Sequence, residues 1–300
     1  MIEQTIISPD GHQIQTFIWP NDEAKAWVHI FHGMSEHALR YNGFAEKLVA
    51  SGFAVVAHNH RGHGTSKSTI LGSYANSHGW QKVLQDISIV RDDICNKELP
   101  YFIFAHSMGS FIAQSFLSKQ PAAIGAVVLS GSNYQAVWLS RIGRVIAKIE
   151  SVRLGKEKSS ALLQFLSFGN FNQKFKPNRT EYDWLSRDGS KVDKYINDPL
   201  CGFPCSTGLW LDFFKGLIDV FTPSSIKKIQ TNLPILILGG SQDPVGLMGT
   251  GLPKLLKAYE VTGQKNLTLK LYEGARHETL NETNRQEVSQ DVITWFEKQI

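Results

Sequence analysis

Cysteine is scarce in this chain: three in 300 residues, Cys95, Cys201 and Cys205. An odd number with one C-x3-C pair and no second pair does not complete a tetrahedral zinc site. The three read as free thiols of a reducing compartment, the cytoplasm. Basic clusters are missing too. The formal net charge is +4, yet no run of Lys and Arg exceeds two, so no nucleic-acid partner is expected. No apolar stretch approaches the ~18 residues that would span a bilayer. The opening MIEQTIISPDGHQIQ has neither the basic start nor the apolar core of a leader segment. Any membrane contact is therefore expected to be peripheral, and oligomeric state is not legible.

What is present is a chain 42% apolar and 19% charged, long enough to bury roughly 75% of the surface its unfolded form exposes. Short β-branched runs alternate with helical patterns, which predicts an α/β fold with a mostly parallel sheet. QTIIS and QIQTFIW flank Asp10-Gly11 and predict an antiparallel hairpin. WVHIFHG, FAVVAHN, YFIFAHS, GAVVLSG, LPILILGG and LTLKLYEG follow, each ending in small or polar residues. Val83, Ile87, Val90 and Ile94 step as one face of a helix over 80–95, and 284–299 reads as a terminal helix. The rhythm breaks over 133–222, where helical patterns continue without a convincing strand. The reading is therefore a core of 1–132 and 223–300 carrying a helical cap insertion at 133–222.

The chemistry is carried by FIFAHSMGS. A serine that must project from a sharp turn between strand and helix tolerates only small flanking residues, the logic of G-x-S-x-G. Here the run is Ala105-His106-Ser107-Met108-Gly109. A serine is a weak nucleophile until a base takes its proton and an acid orients that base. Asp243, in LILGGSQDP, and His277, in LYEGARHE, supply both at strand ends and in the order that such turns use. Stabilising a tetrahedral oxyanion needs two further donors. The backbone N–H of Met108, just after Ser107, and that of Met34, after His32-Gly33, are the candidates.

Through HGMSEHALRY, HNHRGHGTS, AHSMGS, GSQDPV and GARHETLNE the chain resembles the α/β-hydrolase family over nearly its whole length. Within it, the resemblance is to the monoacylglycerol lipase and lysophospholipase-like group. It implies an eight-stranded sheet and the same five residues, Ser107, Asp243, His277, Met34 and Met108. It further implies that Glu36 and Arg40 help hold a polar head group or order the hydrolytic water. No cofactor and no metal are expected. Two positions depart from the family pattern: Ala105 stands for the first elbow glycine, and Asn59 stands where Asp is usual.

Competing readings are weaker. His58-x-His60-x-Gly62-His63 nearly spells a dinuclear metal run, but Gly62 occupies the place of the carboxylate ligand and Arg61 adds positive charge. Ser107 argues against the branches of the fold that use an aspartate nucleophile. A peptidase of aminopeptidase type could use Glu150, Glu157, Glu181 or Asp183 of the insertion to hold an amino terminus. A non-enzymatic binding module usually lacks a triad member, and none is missing here. The insertion is rich in Trp, Phe, Leu and Ile, which favours an acyl channel and hence a single-chain ester hydrolysed through an acyl-enzyme. Arg141, Arg144 and Lys148 share its first helix and could meet anionic lipid.

Overall fold

The computed structural model describes residues 1–66, 70–119, 121 and 124–300. β1 (Ile2–Ile7) and β2 (Gln13–Trp19) form the predicted antiparallel hairpin, registered from Ile2 opposite Ile18 to Ile7 opposite Gln13. β3 (Ala26–Phe31), α1 (Asn42–Ala50), β4 (Phe53–His58), α2 (Gly79–Ile94), β5 (Tyr101–His106), α3 (Met108–Leu117) and β6 (Ile124–Ser130) follow. Next come α4 (Val137–Leu154), α5 (Ala161–Phe168), α6 (Gly189–Asn197), α7 (Thr207–Val220) and α8 (Pro223–Ile226). The chain then re-enters the sheet with β7 (Ile235–Gly240), α9 (Gly251–Thr262), β8 (Leu267–Tyr272) and α10 (Arg285–Glu297). The eight strands lie in the order β1-β2-β4-β3-β5-β6-β7-β8. All neighbours from β4 to β8 are parallel, whereas β1–β2 and β2–β4 are antiparallel.

Strands with both faces covered must be apolar at successive positions, and β5 shows how. Phe102 and Phe104 pack on one side with α1 and α10, through Phe44, Leu48, Val292 and Phe296. Ile103 and Ala105 pack on the other with α2, α3 and α9, through Ile87, Ile112 and Leu255. β5 is therefore central and buried throughout, so the loop that leaves its C-terminal end is held by both layers. Ligands of open parallel sheets bind at those ends, where Gly33, Ser107, Asp243 and His277 lie.

Candidate active site

Ser107 joins β5 directly to α3 with φ 51° and ψ −120°. That backbone is rarely adopted by residues with a side chain and costs of order 1–3 kcal/mol. Its N–H donates to the Ser130 carbonyl at 2.9 Å, and its own carbonyl accepts from the Ser110 N–H at 2.8 Å. A Cβ at Gly109 would collide with the Phe31 and His32 carbonyl oxygens, so the last small residue of the elbow is a steric requirement. Ala105 is not: it is fully buried in β5, opposite Phe31 and Leu129, and is not among the residues with positive φ. The strained turn begins only at 107, and alanine fits where glycine is usual.

His277 Nε2 lies 2.9 Å from Ser107 Oγ, and His277 Nδ1 lies 3.0 Å from Asp243 Oδ2. Asp243 sits in the turn after β7, where its second oxygen accepts the Val245 N–H at 2.8 Å. Burial opposes a charge on His277, but Asp243, then Glu278 and Glu36, outweigh it and raise the pKa above the ordinary imidazole value. His106, its ring tilted 46° to that of His277 with centroids 4.7 Å apart, is driven the other way, to about 4, by burial and by His277 itself. The Trp184 ring also packs on His277, with centroids 5.2 Å apart.

The backbone N–H groups of Met34 and Met108 have no protein acceptor among the described residues. The loop that presents Met34 is pinned from several directions. Ser35, at φ 55°, receives a bond from the Gly202 N–H at 2.9 Å and one from the Tyr195 hydroxyl at 3.1 Å, both on its carbonyl. Its hydroxyl donates to the Phe203 carbonyl at 2.8 Å, and its N–H donates to His63 Nε2 at 3.2 Å.

Glu36 and Arg40 lie beneath this loop. Glu36 Oε1 accepts from the Gly33 N–H at 2.5 Å and from the Tyr41 hydroxyl at 2.8 Å, while Oε2 accepts from Arg40. Arg40 also grips Glu278 with two bonds of 2.6 and 2.7 Å. Although burial opposes its charge, Arg40 holds Glu36 below the usual carboxylate range. Asn59 keeps the neighbouring loop closed without a charge. Its Oδ1 accepts the Ala38 N–H at 2.8 Å, and its Nδ2 donates to Gln15 Oε1 at 2.6 Å, a bond aspartate could not give.

Two cavities meet at Ser107 and Met34. One, of about 560 Å³, is lined by Glu36, His106, Asn172, Thr180, Glu181, Tyr182, Trp184, Tyr195, His277 and Glu278 among others. The other, of about 420 Å³, is lined by Met108, Leu139, Ile142, Ile146, Leu163, Trp210, Phe213, Phe214 and Leu217 and, among the described residues, by no charged one. Of the four carboxylates singled out within 133–222, Glu150, Glu157, Glu181 and Asp183, Glu181 alone lines a cavity that reaches Ser107. Glu150 is bonded to Arg153 and Ser160, and Asp183 to Arg179 and Thr180. Glu157 is exposed.

The histidines of 58–63 do not converge on one point. His58 Nδ1 meets His29 Nε2 at 2.8 Å, His63 Nδ1 meets the Arg61 carbonyl at 3.0 Å, and His60 has no partner on either ring nitrogen among the described residues. Burial lowers His58 and His63 to about 3 and about 4. Arg61 is spent on Asp86 and Asp10. Among the described residues, the one gathered trio of potential metal ligands is His37, Asp198 and Cys201, none of them from 58–63.

Sequence reasoning passed over Glu278, Trp184, Tyr195 and Ser35. Glu278 stood next to His277 in GARHETLNE and could have been weighed as a local charge. The other three are ordinary core or turn residues by pattern.

Known proteins are similar to this chain over most of its length. Mouse monoglyceride lipase is 29% identical over 277 residues, 91% of this chain and 82% of its own. The monoacylglycerol lipase of Mycolicibacterium smegmatis is 26% identical over 98% and 96% of the two chains. A thermostable carboxyl esterase from Bacillus coagulans, solved with glycerol, superposes with a TM-score of 0.89 at 26% identity, covering 99% and 98%. Residues 22–284 match the family described as Serine aminopeptidase, S33. That match takes in most of the chain, and the protein therefore belongs to this family of α/β-hydrolases.

Proposed function

We propose that the protein is a serine carboxylester hydrolase of single-chain esters, monoacylglycerol-like or lysophospholipid-like, acting through an acyl-enzyme. The observation that carries this reading is the division of space at Ser107. His277 lines the polar cavity and not the apolar one, and the leaving alcohol is the group that His277 must protonate. The alcohol therefore goes to the polar cavity and the acyl chain to the uncharged one. An aminopeptidase needs a carboxylate near the amino group on the acyl side. The apolar cavity has none, which favours esters. The named lipases and esterase among the relatives agree with that choice.

In this mechanism Ser107 Oγ attacks the ester carbonyl carbon as His277 Nε2 takes its proton, with Asp243 holding Nδ1 and stabilising the imidazolium. The Met34 and Met108 N–H groups, unspent on protein, donate to the oxyanion. His277 returns the proton to the departing alcohol, and water repeats the sequence to release the acid. Glu36 reaches the polar cavity wall and receives a head-group hydroxyl, while Arg40 holds it in place. In this reading 133–222 is a cap over a core of 1–132 and 223–300.

Peripheral membrane contact belongs to the same proposal. Trp138, Ile142, Val145, Ile149 and Val152 recur at steps of three and four on α4 and are exposed, and Leu162, Phe165 and Leu166 of α5 are exposed as well. Arg141, Arg144 and Lys148 form an exposed basic stripe along α4, the pattern of a helix that lies on anionic lipid. Among the described residues, no helix is long and apolar enough to cross a membrane. With Cys95, Cys201 and Cys205 free, a cytoplasmic location is proposed.

The test is one panel: p-nitrophenyl esters of rising chain length, a monoacylglycerol, a lysophospholipid and an aminoacyl amide. Each buried methylene should add up to ~0.8 kcal/mol until the channel fills. Ser107→Ala should lower kcat/KM by roughly 10³-fold or more with an unchanged fold. Turnover that survives this substitution, or preference for the amide, would overturn the reading.

A further inference from the structure

The polar cavity has walls of one sign. Glu36, Glu181 and Glu278 line it, and no Lys or Arg does so among the described residues. Beneath it Arg40 is engaged by Glu36 and Glu278 together, so one cation faces two carboxylates and the floor keeps a net negative charge. Glu181 is exposed and has no ion pair or hydrogen bond among the described residues. Its charge adds to that of the floor. Tyr182 and Trp184 line the same cavity as Glu181: Trp184 packs on His277 at 5.2 Å, and Tyr182 packs on Tyr195 at 5.1 Å. Arg40 already occupies a face of Tyr195, 4.9 Å from its centroid. Aromatic faces beside carboxylates attract ammonium groups and repel anions.

We propose that this cavity selects the leaving alcohol by charge, ranking cationic head groups above neutral polyols and both above anionic ones, and that Glu181 is the residue that sets the ranking. This rests on the ester reading above and deepens it. The uncharged cavity cannot make the same choice, because it carries no group whose interaction with an ion differs in sign. Glu181 works from a solvent-exposed position, so its effect is that of a screened pair, a few-fold in rate.

The test compares three octanoyl esters that share the acyl group: the choline ester, the glycerol ester and the 2-sulfoethyl ester. kcat/KM is measured for each at low ionic strength and again in 1 M salt, for the wild type, Glu181→Gln and Glu181→Lys, with thermal unfolding as the check on folding. The expected wild-type order is choline, glycerol, sulfoethyl. Glu181→Gln should narrow the choline-to-sulfoethyl ratio by about threefold, Glu181→Lys should narrow it further, and salt should compress it. Equal values for the three esters, or a ratio unmoved in both variants, would overturn the charge selection alone. Failure to cleave any of the three would overturn the ester reading itself.

Discussion

α3 and α4 are both regular helices that border the candidate nucleophile Ser107, one directly and one across a cavity, and their surfaces are opposites. All ten residues of α3 are buried, small and polar ones included. Of the eighteen residues of α4 only Ser140, Ala147 and Glu150 are buried, while Trp138, Ile142, Val145, Ile149 and Val152 face outward. In α3 the apolar residues stabilise the platform that holds Ser107 in an unfavourable backbone conformation. In α4 apolar area is left unburied, and part of the same helix, through Leu139, Ile142 and Ile146, lines the uncharged cavity. One helix serves stability, and the other leaves apolar area unburied, which the proposed contact with apolar molecules would use.

The sharpest way to break that contrast is to shorten one aliphatic side chain in each helix. Ile112→Ala, at a position with no exposed surface, should cost about 2–5 kcal/mol in chemical denaturation. Val152→Ala, at 82% exposure, should stay within about 0.5 kcal/mol. Equal costs would mean that α4 is covered in solution.

Charge placed on the open face of α4 should act on binding. The double substitution Val145→Glu and Ile149→Glu removes apolar area and adds anions beside the basic stripe. It should weaken sedimentation with phosphatidylserine-containing vesicles about tenfold or more. Vesicle binding equal to that of the wild type would remove α4 from the proposed membrane contact.

A smaller effect separates the core's charges from those of α4. In the proposed mechanism His277 must be neutral to accept the Ser107 proton, so kcat/KM should be present above its pKa and lost as pH falls through it. Asp243, Glu278 and Glu36 raise that pKa, which places the acid limb above the ordinary imidazole range. Glu278→Gln removes one of these carboxylates and leaves Arg40 with Glu36 alone, and both changes disfavour the imidazolium. The midpoint of the acid limb should move down and activity should extend further into acid. The α4 double variant should leave the midpoint where it was.

The elements that could be read directly are those whose signal lies within a few residues. Strand β5, the small residues around Ser107 and the helix after it form one local unit, so FIFAHSMGS already contains the elbow. Asp243 and His277 were legible because each closes its own apolar run, and parallel strands deliver their C-terminal ends to one side of a sheet. Resemblance drew attention to Glu36 and Arg40, but the grip of Arg40 on Glu278 was not legible. Those two residues are 238 positions apart, and neither carries a mark of the other.

The alternation of strands and helices, the strand-end placement of Ser107, Asp243 and His277 and the turn before α3 were determined by sequence alone, because backbone sterics and hydrophobic periodicity act locally. Tertiary structure decided the rest. The Tyr195 hydroxyl reaches the Ser35 carbonyl 160 positions away, and residues of α4, α5 and α7 come together to line one uncharged cavity beside a polar one. Such partners depend on how helices pack, and packing is set by the shape and burial of whole surfaces, which no short stretch of residues specifies.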